Sequence, residues 1–262
     1  MSEEEIILYK KRRSIAIITL NRPKMAHAFN WNLMKGLYDA LIKAHNNGSI
    51  KCILLKSTGE NAFSSGIDIR AASADDTEYL MKMRDLGRKV TKIMLLMKKP
   101  IVVQVQGTAI GFGFEIVMAS DLRIFADRPR DEMFFRMPEI AIGIYPQTGA
   151  TILPLLAFGL SYAKNLLLTS DKIGLEKLKN LNFPTRVFPL DRLEIETKKF
   201  MRTFSKRKES FMHLIKSSLT IMNNKTIERW YDLEDKCGEL AYESYSQREL
   251  DEIIKDLYDK YP

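Results

Sequence analysis

Cysteine and histidine are scarce in this sequence, with two cysteines and three histidines among 262 residues. Cys52 and Cys237 lie far apart, and Cys52 belongs to the apolar stretch CILL, which is typical of a small buried side chain. The histidines form no pair at metal-ligand spacing with one another or with a cysteine. We therefore expect a protein of the reducing cytoplasm that binds no metal.

Long uninterrupted apolar runs are also missing. The longest apolar stretch, 101–120, is broken by glutamines, glycines and Glu115, so we predict no membrane-spanning segment and no membrane partner. The opening letters MSEEEIILYK begin with acidic residues in place of a basic and apolar stretch. We therefore expect no secretory or transit signal.

Positive charge is in modest excess, since 41 lysines and arginines outnumber 33 aspartates and glutamates and leave a formal charge of +8. The basic residues are spread along the chain and mostly alternate with acids on predicted helical faces. Aromatic residues do not alternate with them as in RNA-binding modules. We expect a solvated surface and no nucleic acid partner, although a non-catalytic RNA-binding role remains the alternative that the charge suggests.

The first half of the chain alternates apolar strands with helical periodicity. A hairpin is predicted from 6–9 and 15–20, with further strands at 52–55, 101–105 and 122–126 and with helices at 31–45, 77–97 and 112–119. This alternation predicts an α/β fold with parallel strands. From about Pro146 the strand patterns almost vanish, and helices are predicted at 153–168, 175–181, 193–204, 211–222 and 227–258. We expect a core over 1–190 and a helical region over 191–262.

Two turns rich in small residues could approach a ligand with their backbone. The first is 61–70, and the second is 106–115, in which glycines precede the helix at 112. A dinucleotide loop is excluded because Ile116 occupies the place of its third glycine, and no Gly-Lys-Ser/Thr triplet indicates a phosphate loop. Ser65 has Phe63 where a nucleophile elbow has glycine.

Two glutamates lie in apolar surroundings, where a carboxylate is costly unless it is paired or used in chemistry. Glu115 belongs to FGFEIVMAS and Glu139 to RMPEIAIGIYP. Beside backbone amides that hold an anion, two such carboxylates are suited to general acid and base chemistry on an enolate. The alternative is that they pair with arginines such as Arg123 or Arg136, and the residue pattern leaves both possibilities open.

Several ordered motifs resemble those of the crotonase superfamily, the enoyl-CoA hydratases and isomerases, and the resemblance runs over nearly the whole chain. The motifs are Leu20–Lys24 followed by Ala28–Asn30, Phe63–Arg70, Lys99–Glu115, Met137–Glu139 with Gly143, Pro146 and Gly149, and more loosely Leu167–Thr169 and 246–254. Any one motif is a modest signal. Their order along the chain makes the resemblance specific.

The resemblance implies a crotonase-like spiral of βαβ units with a helical C-terminal trimerisation region. It implies an oxyanion hole made by the backbone N–H groups of Ile67 and Phe112, and it places the two hydratase carboxylates at Glu115 and Glu139. Lys24 and Arg70 fall where the family binds the phosphates of coenzyme A. The implied partners are an acyl-CoA thioester and further copies of the chain, as a homotrimer or a dimer of trimers. No cofactor is expected, because coenzyme A is part of the substrate.

Three positions depart from the family pattern. His27 stands where asparagine is usual, and we expect it to affect a helix cap and little else. Phe112 replaces the middle glycine of a three-glycine run, and its ring is expected either to shape the acyl pocket or to pack in the core. Gln147-Thr148-Gly149-Ala150 replaces a more glycine-rich turn near the second glutamate.

Together these observations predict an enoyl-CoA hydratase, a lyase that adds water reversibly to a 2-enoyl-CoA. An enoyl-CoA isomerase on the same scaffold is the nearest alternative, because moving a proton needs only one glutamate. A non-catalytic, RNA-binding protein of the same fold is the alternative from another class, since fold alone does not decide function.

Overall fold

The computed structural model describes residues 5–71, 77–221, 224–243, 248–249 and 252. Its strands, in chain order, are β1 (Ile7–Arg12), β2 (Ile15–Leu20), β3 (Cys52–Ser57), β4 (Ala62–Ser64), β5 (Ile101–Val105), β6 (Thr108–Ile110), β7 (Leu122–Asp127), β8 (Phe134–Arg136), β9 (Ile173–Gly174) and β10 (Arg186–Pro189). Its α-helices are α1 (Trp31–Asn46), α2 (Thr77–Leu96), α3 (Phe112–Ala119), α4 (Ile152–Phe158), α5 (Leu160–Thr169), α6 (Leu175–Asn180), α7 (Leu190–Phe204), α8 (Glu209–Ile221) and α9 (Asn224–Glu243).

The main sheet has the strand order β1-β2-β3-β5-β7-β10. β1 and β2 form the predicted antiparallel hairpin, in which Tyr9 lies opposite Ile18. The other adjacent pairs of this sheet, β2–β3, β3–β5, β5–β7 and β7–β10, are parallel. The α/β fold with parallel strands is therefore confirmed, because helices connect the strands as the alternating pattern predicted.

Strand β3 shows why apolar residues follow one another in the central strands instead of alternating with polar ones. Ile53 and Leu55 contribute to the large core that contains α1, α2 and α3, whereas Cys52 and Leu54 contribute to a second core with Leu193 of α7. Successive side chains of a strand point to opposite faces. Both faces of this sheet are covered, so an uninterrupted apolar run is stable there.

A second, smaller sheet orders the short strands β4-β6-β8-β9. β4, β6 and β8 run parallel to one another. Parallel strands place their carboxyl ends at the same edge of a sheet. The segments that follow these strands, 66–68, 111–115 and 138–139, are thereby brought to one edge although they are far apart in sequence.

Two features of the second half of the chain differ from what the sequence indicated. No strand was predicted at residues 186–189, but they form β10, the edge of the main sheet, paired with β7. Its four residues end on Pro189, and an edge strand tolerates a proline that donates no hydrogen bond. The helix predicted at 153–168 is divided at Gly159, whose φ of 78° suits glycine and interrupts the helix.

Helix α1 begins differently from the expectation about His27. Its N-cap is Asn30, whose side chain accepts a hydrogen bond from the amide of Leu33 at 3.0 Å. His27 is buried in the preceding turn at a φ of 52°. Its Nδ1 accepts a hydrogen bond from the amide of Arg22 at 3.1 Å, and its Nε2 lies 2.8 Å from the carbonyl oxygen of Thr58. His27 therefore stabilises the turn before the helix, and the cap does not depend on it.

The helical C-terminal region predicted from sequence is present as α7, α8 and α9. At the predicted boundary near Leu190, β10 ends and α7 begins, and α7 packs on the main sheet through Leu193 and Met201. The division into 1–190 and 191–262 stays a prediction, and the motif at 246–254 lies largely outside the described residues. Within the described part of the chain, no helix has both the length and the apolar character needed to cross a bilayer.

Candidate active site

The turn at residues 66–68 lies directly against the turn at 110–112. Gly66 has a φ of 92°, and a Cβ on it would lie 2.7 Å from the carbonyl oxygen of Ile110. The carbonyl of Gly66 accepts a hydrogen bond from Phe29, whose own carbonyl accepts one from the amide of Asp68. Only glycine combines this backbone angle with so close an approach, so the two segments can meet here only because residue 66 has no side chain.

Two backbone amides remain available where these turns meet. Among the hydrogen bonds of the described residues, the N–H groups of Ile67 and Phe112 have no protein acceptor. Phe112 is the first residue of α3, where helical amides lack an intrahelical partner and the helix dipole is positive. Gly111, with a φ of 50°, makes the turn that starts the helix. Both amides are suited to hold an anionic oxygen.

A cavity of about 670 Å³ opens over these turns. Its walls include all six residues predicted from sequence: Lys24, Ile67, Arg70, Phe112, Glu115 and Glu139. Lys24 and Arg70 are exposed, whereas Glu115 is only 2% exposed. The structure therefore places two exposed cations and two secluded carboxylates around one space.

Glu115 lies on the first turn of α3, in the interior of the protein. Its Oε2 accepts a hydrogen bond from the hydroxyl of Thr148 at 2.7 Å. Burial raises the pKa of Glu115 well above its usual value, the nearby Glu139 raises it further, and the Thr148 hydrogen bond lowers it. The carboxyl group therefore keeps its proton to a higher pH than an exposed glutamate does.

Glu139 follows β8 in the short 3-10 turn Glu139–Ile142. Its Oε1 lies 3.0 Å from where a Cβ of Gly111 would stand, so the glycine leaves room for the carboxylate beside the start of α3. Its Oε2 is buried and has no hydrogen-bond partner within the described ranges. Burial raises the pKa of Glu139 to about 7. A carboxyl group with this pKa can donate or accept a proton at neutral pH.

The proposed pairing of these glutamates with arginines is not what the structure shows. Arg123 donates to the carbonyl oxygens of Phe183 and Ser120, and Arg136 donates to that of Ser170. The ion pairs found within the described part of the chain join neither arginine to Glu115 or Glu139. Two buried carboxylates without an ion-pair partner are the pattern expected of groups used in chemistry.

Phe112 combines the two arrangements that its sequence left open. Its ring is 2% exposed and meets the ring of Phe29 edge to face, with the centroids 5.0 Å apart. The ring also lies so near α2 that a Cβ on Gly87 would be 3.2 Å from it. Phe112 is thus packed in the core and is at the same time part of the cavity wall.

The sequence profile of the enoyl-CoA hydratase/isomerase family matches residues 10–249. The chain belongs to this family. Its fold is the crotonase fold, as in the crystal structure of an enoyl-CoA hydratase from Bacillus halodurans, which superimposes with a TM-score of 0.85 at 21% identity over 96% of this chain and 100% of that chain.

Among the relatives of this family member, some are named hydratases and one is named an isomerase. The chain is 28% identical to the crotonyl-CoA hydratase of Syntrophomonas wolfei over 250 residues, which are 95% of this chain and 94% of that protein. It is 30% identical to the short-chain-enoyl-CoA hydratase of Clostridium acetobutylicum over 69% of this chain and 68% of that protein. It is 26% identical to the trans-2-decenoyl-[acyl-carrier-protein] isomerase of Streptococcus mutans over 87% and 86%.

In this family member, sequence reasoning missed the side chains that hold the site in place. Arg22 forms an ion pair with Asp68 at 2.5 Å and also donates to the carbonyl of Ala28, which joins the segment around residue 22 to the turn at 66–68. Glu234 of α9 binds the turn that follows Pro146. Glu234 could have been noticed, because it continues the apolar stripe of Ile227 and Tyr231 at helical spacing. Nothing in the sequence near Arg22 indicated that Asp68 would be its partner.

No group of three or more histidine, cysteine, aspartate or glutamate side chains in the described ranges is arranged to hold a metal ion. The expectation that the protein uses no cofactor stays a prediction.

Proposed function

We propose that this protein catalyses the reversible addition of water to a 2-enoyl-CoA. The observation that carries the proposal is the placement of two buried carboxylates, neither in an ion pair, in the same cavity as two amides without a protein acceptor. An oxyanion site and two carboxyl groups that can accept and donate protons are the parts that hydration of an enoyl thioester requires.

The proposed reaction begins with the thioester oxygen accepting hydrogen bonds from the amides of Ile67 and Phe112. Glu115, ionised, removes a proton from water as the water oxygen bonds to the β-carbon. The electron pair of the double bond moves onto the thioester oxygen as an enolate, which the two amides stabilise. Glu139, protonated, then delivers its proton to the α-carbon. One proton must return from Glu115 to Glu139 before the next turnover.

Lys24 and Arg70 are proposed to bind the phosphates of the coenzyme A part of the substrate. Both are exposed residues of the cavity wall, where a long polar group can extend towards solvent. Cations that hold the phosphates, which do not react, interact equally with the ground state and the transition state. We expect them to influence binding much more than the chemical step.

Isomerisation is the second candidate, favoured by the likeness to the Streptococcus mutans isomerase over 87% of this chain. An isomerase would move one proton between two carbons and would not bind water at the β-carbon. Glu139, whose pKa is raised to about 7, could perform that transfer alone.

One assay separates the two candidates. The purified protein is given crotonyl-CoA, and the product is examined for the gain of one water by mass spectrometry. A 3-enoyl-CoA is then offered to detect conversion to the 2-enoyl isomer without a change of mass. Hydration that falls by orders of magnitude in both Glu115→Gln and Glu139→Gln supports the two-carboxylate mechanism. Isomerisation that survives Glu115→Gln but not Glu139→Gln would replace it by the second candidate.

Association into trimers, or pairs of trimers, is part of the proposal. Helix α8 exposes between 56% and 65% of the side chains of Phe211, Leu214, Ile215 and Leu219. These residues lie on one side of the helix at spacings of three and four. A contiguous apolar surface of this kind is typical of a contact between subunits.

A further inference from the structure

Thr148 belongs to a turn that α9 holds, and its side chain faces the carboxylate of Glu115. Its hydroxyl oxygen is 2.7 Å from Glu115 Oε2 and also within reach of the carbonyl oxygen of Gln147. One hydroxyl proton can serve only one of these acceptors. An ionised carboxylate is the stronger acceptor, so the proton goes to Glu115 when Glu115 is charged.

The side chain of Thr148 has little freedom to turn away. Thr148 has a φ of 68°, an uncommon conformation for a β-branched residue, which persists only where the surroundings impose it. Its methyl group lies against α2, where a Cβ on Gly87 would be 2.8 Å away. The methyl group thus occupies the space left by a glycine, and the hydroxyl faces the carboxylate.

The backbone of this turn is held from two helices. The carbonyl oxygen of Thr148 accepts a hydrogen bond from the hydroxyl of Thr91 on α2 at 2.5 Å. The Thr91 hydroxyl in turn accepts a hydrogen bond from the hydroxyl of Tyr231 on α9 at 2.9 Å. Glu234, 2% exposed, accepts hydrogen bonds from the amide of Gly149 at 2.7 Å and from the amide and hydroxyl of Thr151 at 2.8 and 2.6 Å. The turn is therefore clamped between α2 and α9.

The other glutamate has no such partner. Glu139 Oε2 is buried without a hydrogen bond among the described residues, and a neutral carboxyl group tolerates that position better than a charged one. The two glutamates of one cavity thus differ in their hydrogen bonds, because the Thr148 hydroxyl donates to Glu115 Oε2, whereas Glu139 Oε2 has no donor among the described residues. That hydroxyl stabilises charge on Glu115 and none on Glu139.

We propose that Thr148 is a positioning residue that gives Glu115 the role of base and leaves Glu139 the role of acid. It does so by donating its hydroxyl proton to Glu115 Oε2, so that the other oxygen, Oε1, takes the proton from the reactant. The inference rests on the proposed hydration for its catalytic meaning. The link between Thr148 and the protonation of Glu115 can be measured without turnover.

The test compares Thr148→Val, which keeps the shape and removes the hydroxyl, with Thr148→Ser, which keeps the hydroxyl. Because the hydrogen bond stabilises the ionised form, its loss should move the acid limb of the pH profile of kcat/KM upward by about one pH unit. At a pH below the limb the loss should be about tenfold, and it should shrink as the pH rises. Thr148→Ser should keep the limb of the parent protein.

The matched control is Thr197→Val, since Thr197 is a buried threonine of α7 whose hydroxyl has no partner within the described residues. It should leave the profile unchanged. A Thr148→Val profile that is lowered equally at every pH, or is not changed, would mean that Thr148 is only part of the turn and would overturn the proposal. Should Thr148→Val fail to fold, Thr148→Ala provides the same comparison.

A second readout separates this inference from the proposed function. If the parent protein turns over no enoyl-CoA, the hydration proposal fails, and the carboxyl band of Glu115 can still be titrated by infrared difference spectroscopy against Glu115→Gln. A midpoint that rises in Thr148→Val supports the role of Thr148, and an unchanged midpoint overturns it.

Discussion

Gly66 and Ile110 approach so closely that a Cβ on the glycine would stand 2.7 Å from the carbonyl oxygen of the isoleucine. The same contact sets the spacing of the neighbouring amides of Ile67 and Phe112, because each amide lies within two residues of it. Gly66→Ala should push the two turns apart and also strain the backbone at a φ of 92°.

We expect Gly66→Ala to lower kcat by about 10²-fold or more, the loss seen when one oxyanion donor is removed. Thermal unfolding should show a loss of about 1–2 kcal/mol from the unfavourable φ. Gly48→Ala is the control, because nothing lies within 4 Å of a Cβ there. If Gly66→Ala had the kcat of the parent protein, the contact between Gly66 and Ile110 would not be required for catalysis.

The raised pKa of Glu139 predicts how the free energy of unfolding depends on pH. Its folded pKa of about 7 is above the unfolded value of 4.5, so the folded protein keeps this proton to a higher pH than the unfolded chain does. The free energy of unfolding therefore falls as the pH rises from 4.5, and the loss is complete above about 7. The loss from this group is about 3 kcal/mol at most. Urea unfolding from pH 4.5 to pH 8 should therefore show a shallower decline in Glu139→Gln.

The exposed Glu60→Gln is the control for the change in charge and should keep the parent slope. Identical slopes in Glu139→Gln and the parent protein would show that Glu139 titrates normally and would weaken its assignment as the acid.

Lys24 and Arg70 should contribute to binding of the coenzyme A part alone. Replacing both with alanine is expected to raise KM for crotonyl-CoA by about tenfold or more, with kcat changed much less. A crotonyl thioester of a short thiol, which has no phosphates, should show no effect of the replacement. The double variant Lys11→Ala and Arg12→Ala removes the same charge from β1, outside the cavity wall, and should behave as the parent. A loss confined to kcat would contradict the assignment.

The position of Phe112 predicts a preference for short acyl chains. Phe112→Ala should raise kcat/KM for a ten-carbon enoyl-CoA relative to a four-carbon one, because the cavity gains volume. It should also cost about 3–5 kcal/mol of stability, since the ring packs on Phe29.

Phe114→Ala is the matched control. That ring packs on Phe135 and Phe183 in the core, is fully buried and is not in the cavity wall, so it should cost similar stability without changing the chain-length ratio. An unchanged ratio in Phe112→Ala would show that Phe112 does not shape the acyl pocket.

The apolar face of α8 predicts a trimer or hexamer in solution. Light scattering at micromolar concentration should give about three or six times the chain mass, and Leu214→Lys with Ile215→Lys should reduce it, because buried unpaired charges destabilise an interface. Ile195→Lys, at an exposed apolar position of α7, is the control and should leave the mass unchanged. A monomeric parent protein would end the proposal.

Much of the fold could be predicted from local patterns. The period of apolar residues identified α1, α2 and α3, and short, mostly apolar runs identified β3 and β5, since a sheet covered on both faces favours apolar side chains on both. The main exception, β10, has four residues and ends in proline, and its pairing with β7 comes from the edge position that only the assembled sheet provides.

In the candidate site, too, some features could be predicted from the local sequence and others depend on the assembled fold. Glu115 and Glu139 were evident in the sequence because a carboxylate in an apolar run contradicts its surroundings, and all six predicted residues lie in one cavity wall. The hydrogen bond from Gly149 to Glu234 joins residues 85 positions apart, and that from Thr148 to Glu115 joins residues 33 apart. Sequence by itself determined which side chains are unusual, because that follows from their neighbours along the chain. Tertiary structure alone decided which of them meet. A hydrogen bond requires its two atoms to be placed to within a few tenths of an ångström, and the packing of α2, α3 and α9 sets these positions together.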